Sequence, residues 1–488
     1  MKNSHSSAYN TLVVLFVAIG SITYGYCSSI IGTKLGQPSF IEYFALQPSD
    51  RTDALVGSIN GLFQAGGIFG TMSTTLLADR LGRRKTILAG AMAAVLGSAL
   101  QTGSVHIAMF MVARLITGFG IGNLVIIVPL WQSEVAPPAS RGFLVGMHGV
   151  FILCGYSLAS WMGVAFSFVK AAGAQWRIPL AIQILPPAVL LLGVMTMPES
   201  PRWLIQNGMT DRAMQILSKL HETSDQDGQA GYAQREYDQI QQRLEMRAVV
   251  GFLTLFCGQC TATQIINNYG PSLYASMGFD STRQLLITAG WISVGILSNF
   301  ISALLLDRVG RVKLMVIGFA GCAMALALEG VMLALYQGAS NQAGIGAAVF
   351  FLFLHIVFYG GCIDATTYVY VTEIRPMHIR SKGSALATIG LFLSSLILQT
   401  VSPTAFARIG WRYYMVFTGL CVVSMIGVWF YFPETKGLAL EEIGQIFNDD
   451  ESLVVVASPD NEGKSTRNDV GYEPKDTQSL ESKKEVGL

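Results

Sequence analysis

Charge is scarce in this sequence. Only 13% of its 488 residues are Asp, Glu, Lys or Arg, where a soluble domain carries roughly a quarter. Net charge is +1, so no basic field exists to hold nucleic acid, and none is expected as a partner. The seven cysteines, Cys27, Cys154, Cys257, Cys260, Cys322, Cys362 and Cys421, all fall in apolar runs, which leaves a disulfide framework nothing to work with. Cys257-Gly-Gln-Cys260 has metal spacing but no companion ligands, so neither a metal nor a cofactor is expected. Paired carboxylates, a nucleophile elbow and a phosphate loop are missing as well, which argues against an enzyme. The run Gly118-Phe-Gly120-Ile-Gly122 lies in an apolar stretch, where small residues serve close helix packing rather than dinucleotide binding. No asparagine carries the glycosylation spacing.

What the chain has instead is apolar length. Hydrophobic residues make up 51% and come in runs of about 20, enough for a helix to cross ~30 Å of hydrocarbon. Hydropathy places twelve spans, near 11–31, 54–77, 86–103, 108–131, 143–166, 179–197, 248–270, 285–306, 313–336, 345–371, 382–405 and 411–432. The predicted class is an all-α membrane protein with two six-helix halves. Its expected parts are a cytoplasmic N-terminus (1–10), a first half (11–207), a cytoplasmic helical linker (208–247), a second half with a final cytoplasmic helix (248–447) and a disordered cytoplasmic tail (448–488). Within the linker, Arg212 to Leu220 and Tyr237 to Met246 read as amphipathic helices lying on the membrane surface. The polar start, Met1 to Asn10, lacks a cleavage site, which predicts a retained first span. With both termini cytoplasmic, 24 Lys and Arg lie inside, 7 outside and Arg114 within a span. The opposite orientation would invert the rule that basic loops stay inside. A multi-pass monomer in the plasma membrane is the expectation, with the lipid bilayer and a small-molecule substrate as its partners.

The two halves are divergent copies. Leu77-Ala-Asp79-Arg-Leu-Gly82-Arg83 returns as Leu306-Asp307-Arg-Val-Gly310-Arg311, an offset of 228 from Asp79 to Asp307. Glu134 with Arg141 returns as Glu373 with Arg380 (offset 239 between the glutamates), and Pro198-Glu199-Ser200 as Pro433-Glu434-Thr435 (offset 235). Opposite charges at helix ends, once partly desolvated, hold with a few kcal/mol and break when that face opens. Asp79, Arg83, Glu134, Arg141, Glu199, Arg202, Asp307, Arg311, Glu373, Arg380 and Glu434 are therefore candidates for a cytoplasmic gate. The plainer alternative is that they end helices and anchor them to headgroups.

These motifs, together with Arg114-Leu-Ile-Thr-Gly118, Val128-Pro-Leu-Trp-Gln-Ser-Glu134, Pro198-Glu-Ser-Pro-Arg202-Trp203 and Pro433-Glu-Thr-Lys-Gly437, make residues 11–447 resemble a sugar porter of the major facilitator superfamily. The resemblance implies alternating access around a central cavity. It also implies substrate contacts in span seven, where family amides and tyrosines align with Gln259, Gln264, Asn268 and Tyr269. Amides offer donor and acceptor together, which suits a polyol. Proton-driven members have an aspartate where this chain has Cys27, yet the partner Arg114 is kept, so facilitated diffusion is favoured over proton symport. Asp364 in span ten is then the second candidate for coupling, and a candidate substrate ligand. Tyr368, one turn away, replaces a family tryptophan and can still stack on a sugar face. His148-Gly149 replaces a glutamine pair, and Leu391 and Ser394 replace a tryptophan and an asparagine. Glu329 is expected to reach the outer interface, while His148 and His355 are expected to make static hydrogen bonds. The function expected is transport of a monosaccharide or similar small polyol. Open beside it stand a sugar acid drawn to Arg114, export of a metabolite, proton coupling through Asp364, and a receptor that binds sugar without moving it.

Overall fold

A backbone in hydrocarbon has no water to bond to, so long apolar runs satisfy their amides internally as helices. The computed structural model describes residues 13–436 apart from 14–15, 48, 136–140, 170, 172, 196, 201–202, 205–206, 208, 210–243, 337–340 and 375–379. Every regular element among the described residues is a helix. Among the described residues, nine helices have the length and apolarity to cross a membrane: Ile107–Val135, Met147–Ser167, Ala174–Val194, Arg247–Ser276, Ser281–Leu306, Arg311–Tyr336, Gln342–Glu373, Gly383–Ile409 and Arg412–Tyr431. They stand where spans four to twelve were expected. Helices Ile19–Leu35, Asp50–Leu81 and Arg83–Thr102 occupy the places of spans one to three. Most of the linker, the final cytoplasmic helix, the tail, residues 1–10 and Arg202 lie outside the described residues.

The helices face two environments. Leu192, Val423 and Phe430 are 79%, 68% and 73% exposed, an apolar outer surface that a bilayer, and not water, would cover. Inside, glycine sets how near the backbones come. A Cβ on Gly118 would lie 2.0 Å from the Phe63 carbonyl oxygen of span two, and one on Gly122 2.1 Å from that of Gly67. One on Gly120 would strike span three at Ala94 N, 2.5 Å away. The glycine run of span four thus packs against two helices, as its small residues suggest.

The halves meet along two main seams, span two against span eleven and span five against span eight, with span one also against span seven. Under the duplication, in which span n corresponds to span n+6, the two main seams are the same seam twice. Span seven is interrupted: helices Leu244–Gln259 and Thr263–Ser276 are separated at Cys260, Thr261 and Ala262. Span ten carries a π-helical turn, Tyr359–Asp364, between Gln342–Phe358 and Ala365–Glu373. Both irregularities lie against the space between the halves.

Replacing Gly118 by Ala should cost about 1–3 kcal/mol, the usual penalty of forcing a methyl into a full interface. Gly419, with nothing within 4 Å of its would-be Cβ, should accept Ala within about 0.5 kcal/mol. Thermal unfolding of both variants in detergent checks the contrast.

Candidate functional site

Polar side chains that sequence spacing put on separate spans converge on one enclosed cavity of about 20 Å³. Gln259, Thr263 and Gln264 come from the two sides of the break in span seven, Asp364 and Tyr368 from span ten, and Tyr156 from span five. Gln264 Nε2 donates to the Tyr156 hydroxyl at 2.7 Å, a bond that joins the two halves. Asp364 accepts from Asn299 Nδ2 of span eight at 2.6 Å and from the Tyr359 hydroxyl at 3.3 Å. In an α-helix, residues five apart point about 140° away from each other. The π turn brings Tyr359 and Asp364 onto one side instead. Gln264 Oε1 is buried with no hydrogen-bond partner.

Toward one end lies a second cavity of about 330 Å³, lined by Val56, Tyr269, Phe406, Trp411 and Tyr414 among others. Tyr269, on its wall, also closes off the interior. Its hydroxyl accepts from Asn60 Nδ2 of span two at 2.9 Å and donates to the Gln399 carbonyl of span eleven at 2.8 Å. Asn268 Nδ2 donates to Gln399 Oε1 at 2.7 Å, and Ser29 of span one donates to Asn267 Oδ1 at 3.1 Å. The small cavity has room for about one water. The large one falls at the lower end of ligand-pocket volumes, ~300–1,000 Å³.

At the other end sit the charged turns, built twice. Arg83 makes a bidentate pair with Glu134, Nε to Oε2 and Nη2 to Oε1 both at 2.9 Å, and its Nη1 reaches the Ala78 carbonyl at 3.2 Å. In the second copy Arg311 pairs with Glu373 at 3.0 and 2.7 Å, and its Nη1 donates to the Leu306 carbonyl at 3.4 Å. Glu199 accepts from the backbone N–H of Arg83 and Arg84 at 2.9 and 3.2 Å, capping the first turn of span three. Glu434 does the same for Arg311 and Val312 at 2.8 and 3.1 Å. Gly82 and Gly310 turn at φ +91° and +108°. A Cβ on either would lie 2.7 Å from the capping carboxylate, so the turn requires glycine twice over.

Comparison with known proteins settles the family. The description "Sugar (and other) transporter" matches residues 13–447. The chain belongs to this family of transporters. It is similar to the MFS-type transporter criB of Aspergillus cristatus, 31% identical over 93% of this chain and 97% of that one. It is also similar to the quinate permease of Neurospora terricola, 28% identical over 90% of each. Among solved structures, the proton:xylose symporter XylE bound to 6-bromo-6-deoxy-D-glucose covers 91% of this chain with a TM-score of 0.74 at 23% identity. An inward open form of XylE from E. coli gives a TM-score of 0.71 over 90% of this chain. At that identity the likeness establishes the fold, that of the major facilitator transporters.

Within this transporter, Gln259, Gln264, Asp364 and Tyr368 line the central cavity together. Asn268 and Tyr269 belong to the hydrogen-bonded layer beside the larger cavity. Arg114 does not line the central cavity. Its Nη1 donates to the Cys27 carbonyl at 2.8 Å, its Nη2 to Asn60 Oδ1 at 3.4 Å, and its guanidinium lies 4.1 Å from the Phe63 ring centroid. Its hydrogen bond to Cys27 thus goes to the backbone carbonyl. Asp79 is exposed, and its backbone carbonyl accepts from Trp203 Nε1 at 2.9 Å. The side chains of Arg141, Asp307 and Arg380 lie outside the described residues.

One expectation is overturned. Glu329 does not reach an interface; it is 0% exposed, with both carboxylate oxygens lacking hydrogen-bond partners among the described residues. Helical rise gives depth along the membrane but not which face of span nine the residue occupies, and here that face lies toward Tyr274 of span seven and Tyr414 of span twelve. Sequence reasoning missed Tyr156, Asn299 and Tyr359. An asparagine and two tyrosines in apolar runs read as ordinary helix-bridging groups, and only the π turn makes Tyr359 a neighbour of Asp364. His148 accepts or donates at Nδ1 to the Ser21 hydroxyl at 2.7 Å and lies edge-on to Tyr368 at 5.7 Å, so it flanks the site.

Arg83 and Glu134 are 5% and 6% exposed at their side chains. Removing one partner alone strands a buried charge, so Arg83→Ala should cost about 3–5 kcal/mol. Adding Glu134→Ala should recover a substantial part of that. A double-mutant cycle on unfolding in detergent measures the coupling, which an exposed pair would show as under about 1 kcal/mol.

Proposed function

We propose that this transporter carries a small uncharged polyol, with monosaccharides as the leading class, by alternating access and without proton coupling. The single observation that supports this most is the lining of the central cavity. It presents amides, phenols and one carboxylate, with no Lys, Arg or His among its described lining residues. Hydroxyls can donate to Asp364 and to the free Gln264 Oε1 and accept from amide N–H groups, while a carboxylate would meet Asp364 without a cation to balance it. Gln259, Gln264, Asp364 and Tyr368 are then the substrate ligands. Asn268 and Tyr269 seal the site from the larger cavity. The charged turns stiffen the cytoplasmic face, and Arg141, Arg202 and Arg380 remain candidates for closing it. Both termini lie in the cytoplasm, the plasma membrane is the home membrane, and one chain suffices for transport.

The same contacts support uniport. Arg114, the partner of a titrating acid in a proton-driven design, is held here by a backbone carbonyl. Asp364 is fixed by two donors, which suits a carboxylate that binds substrate rather than one that shuttles a proton. A second reading, transport of a hydroxy acid, draws on the relatives named quinate permeases and on Arg114, for which the structure describes no carboxylate partner.

Uptake of labelled glucose, xylose and quinate into proteoliposomes, with and without an inward proton gradient, separates these. The expected result is glucose or xylose flux that equilibrates regardless of the gradient, and a KM raised about tenfold or more by Asp364→Asn, the loss of a charged hydrogen bond. Accumulation driven by the gradient and abolished in Asp364→Asn, with exchange intact, would overturn uniport. Quinate uptake without sugar uptake would overturn the polyol.

A further inference from the structure

The break in span seven leaves a backbone carbonyl without its helical partner. Ile265 N–H bonds the Ala262 carbonyl at 3.0 Å, not the Thr261 carbonyl four residues back. Ala262 itself sits at φ +66°, one of two non-glycine residues with positive φ among those described, a conformation that strains any residue with a side chain. The Thr261 carbonyl is met from span ten by His355 Nε2 at 2.8 Å. A carbonyl can only accept, so Nε2 carries the proton. His355 Nδ1 is buried without a partner, which fits the neutral ring with an unprotonated Nδ1.

The His355 ring is also clamped. It lies parallel to two neighbouring rings, Trp291 with centroids 6.5 Å apart and 4° between planes, and Tyr359 at 6.5 Å and 12°. Trp291 is pinned by its Nε1–H to the Leu352 carbonyl at 2.8 Å, and the Tyr359 hydroxyl donates to Asp364 at 3.3 Å. We propose that His355 is a positioning residue: it clasps the strained break of span seven and links it, through Tyr359, to the carboxylate in the central cavity. A shift of Asp364 toward a ligand tilts Tyr359, and the tilt passes through the stacked ring to the Thr261 carbonyl and the break. The link to a ligand rests on the reading of Asp364 as a substrate group; the clasp itself does not.

The test uses the full chain in detergent without substrate, reading hydrogen exchange of peptides covering residues 257–266. His355→Phe keeps a ring for the stack but removes the donor, and should speed exchange there about tenfold, the scale of an orphaned buried carbonyl. His355→Gln restores an N–H donor and should stay within about twofold of the unmodified chain. Tyr359→Phe keeps its ring but loses Asp364, and should also speed exchange at the break. Unchanged exchange in His355→Phe overturns the clasp, and unchanged exchange in Tyr359→Phe overturns the link. Should His355→Phe fail to fold, adding Ala262→Gly, which relieves the left-handed strain, should restore folding; no recovery overturns the proposal. If the unmodified chain moves none of the sugars, the transport reading fails on its own while these exchange results still decide the clasp.

Discussion

Inside a bilayer each polar group needs a partner within the protein, and span seven defies that requirement at its centre. Three residues leave the helix, one in a left-handed conformation, and the freed groups must be met from elsewhere. Spans eight and ten are shaped around that need. Span ten supplies His355 and unwinds by a π turn directly after it, and span eight supplies Trp291 behind the ring and Asn299 against Asp364. The amides of Gln259 and Gln264 can sit at mid-membrane because they flank this same break, where a cavity and the Tyr156 hydroxyl receive them. Irregular backbone is tolerated at membrane depth only where protein or a cavity surrounds it, so the break and the cavity imply each other.

The charged turns play the opposite part. Each described ion pair there lies within one half, Arg83 with Glu134 in the first and Arg311 with Glu373 in the second. Each arginine also holds the end of the preceding span through a carbonyl, while a glutamate caps the following one. Such pairs bind spans into a body. Contacts between the halves are of another kind: single hydrogen bonds such as Asn60 to Tyr269, and glycine approaches such as Gly57 of span two, whose Cβ would lie 2.3 Å from the Thr400 carbonyl oxygen of span eleven. Strong links inside each half and separable ones between them are what a rocking motion requires.

Much of this was legible because it repeats. Apolar runs of membrane length gave the helices, and the returning Gly-Arg turns gave the duplication, since a tight basic turn needs glycine at positive φ wherever it occurs. Four expected ligands, Gln259, Gln264, Asp364 and Tyr368, share one cavity because polar residues in a lipid span stand out against their neighbours. Illegible were the features that depend on rotation about a helix axis. The π turn re-aims Tyr359, and no periodicity announces it. The burial of Glu329 depends on which face of span nine meets Tyr414. Arg83 pairs with Glu134 across 51 residues, a partnership that charge lists alone leave ambiguous among several acids.

With Gln264 and Asp364 as the proposed substrate ligands, the closed cavity also bears on how tightly the carrier would hold its cargo. With about 20 Å³ of free space, its polar groups are already largely spent on one another: Gln264 on Tyr156, Asp364 on Asn299 and Tyr359. A substrate therefore exchanges hydrogen bonds rather than adding them, and each exchange is worth only ~0.5–1.5 kcal/mol net. Three or four such contacts give ~2–6 kcal/mol, around the ~4 kcal/mol of millimolar binding. Weak binding of this order lets the site empty as readily as it fills. A site built from free, desolvated donors would grip harder and release slowly, so the internal bonds that occupy most of the cavity's polar groups also favour turnover.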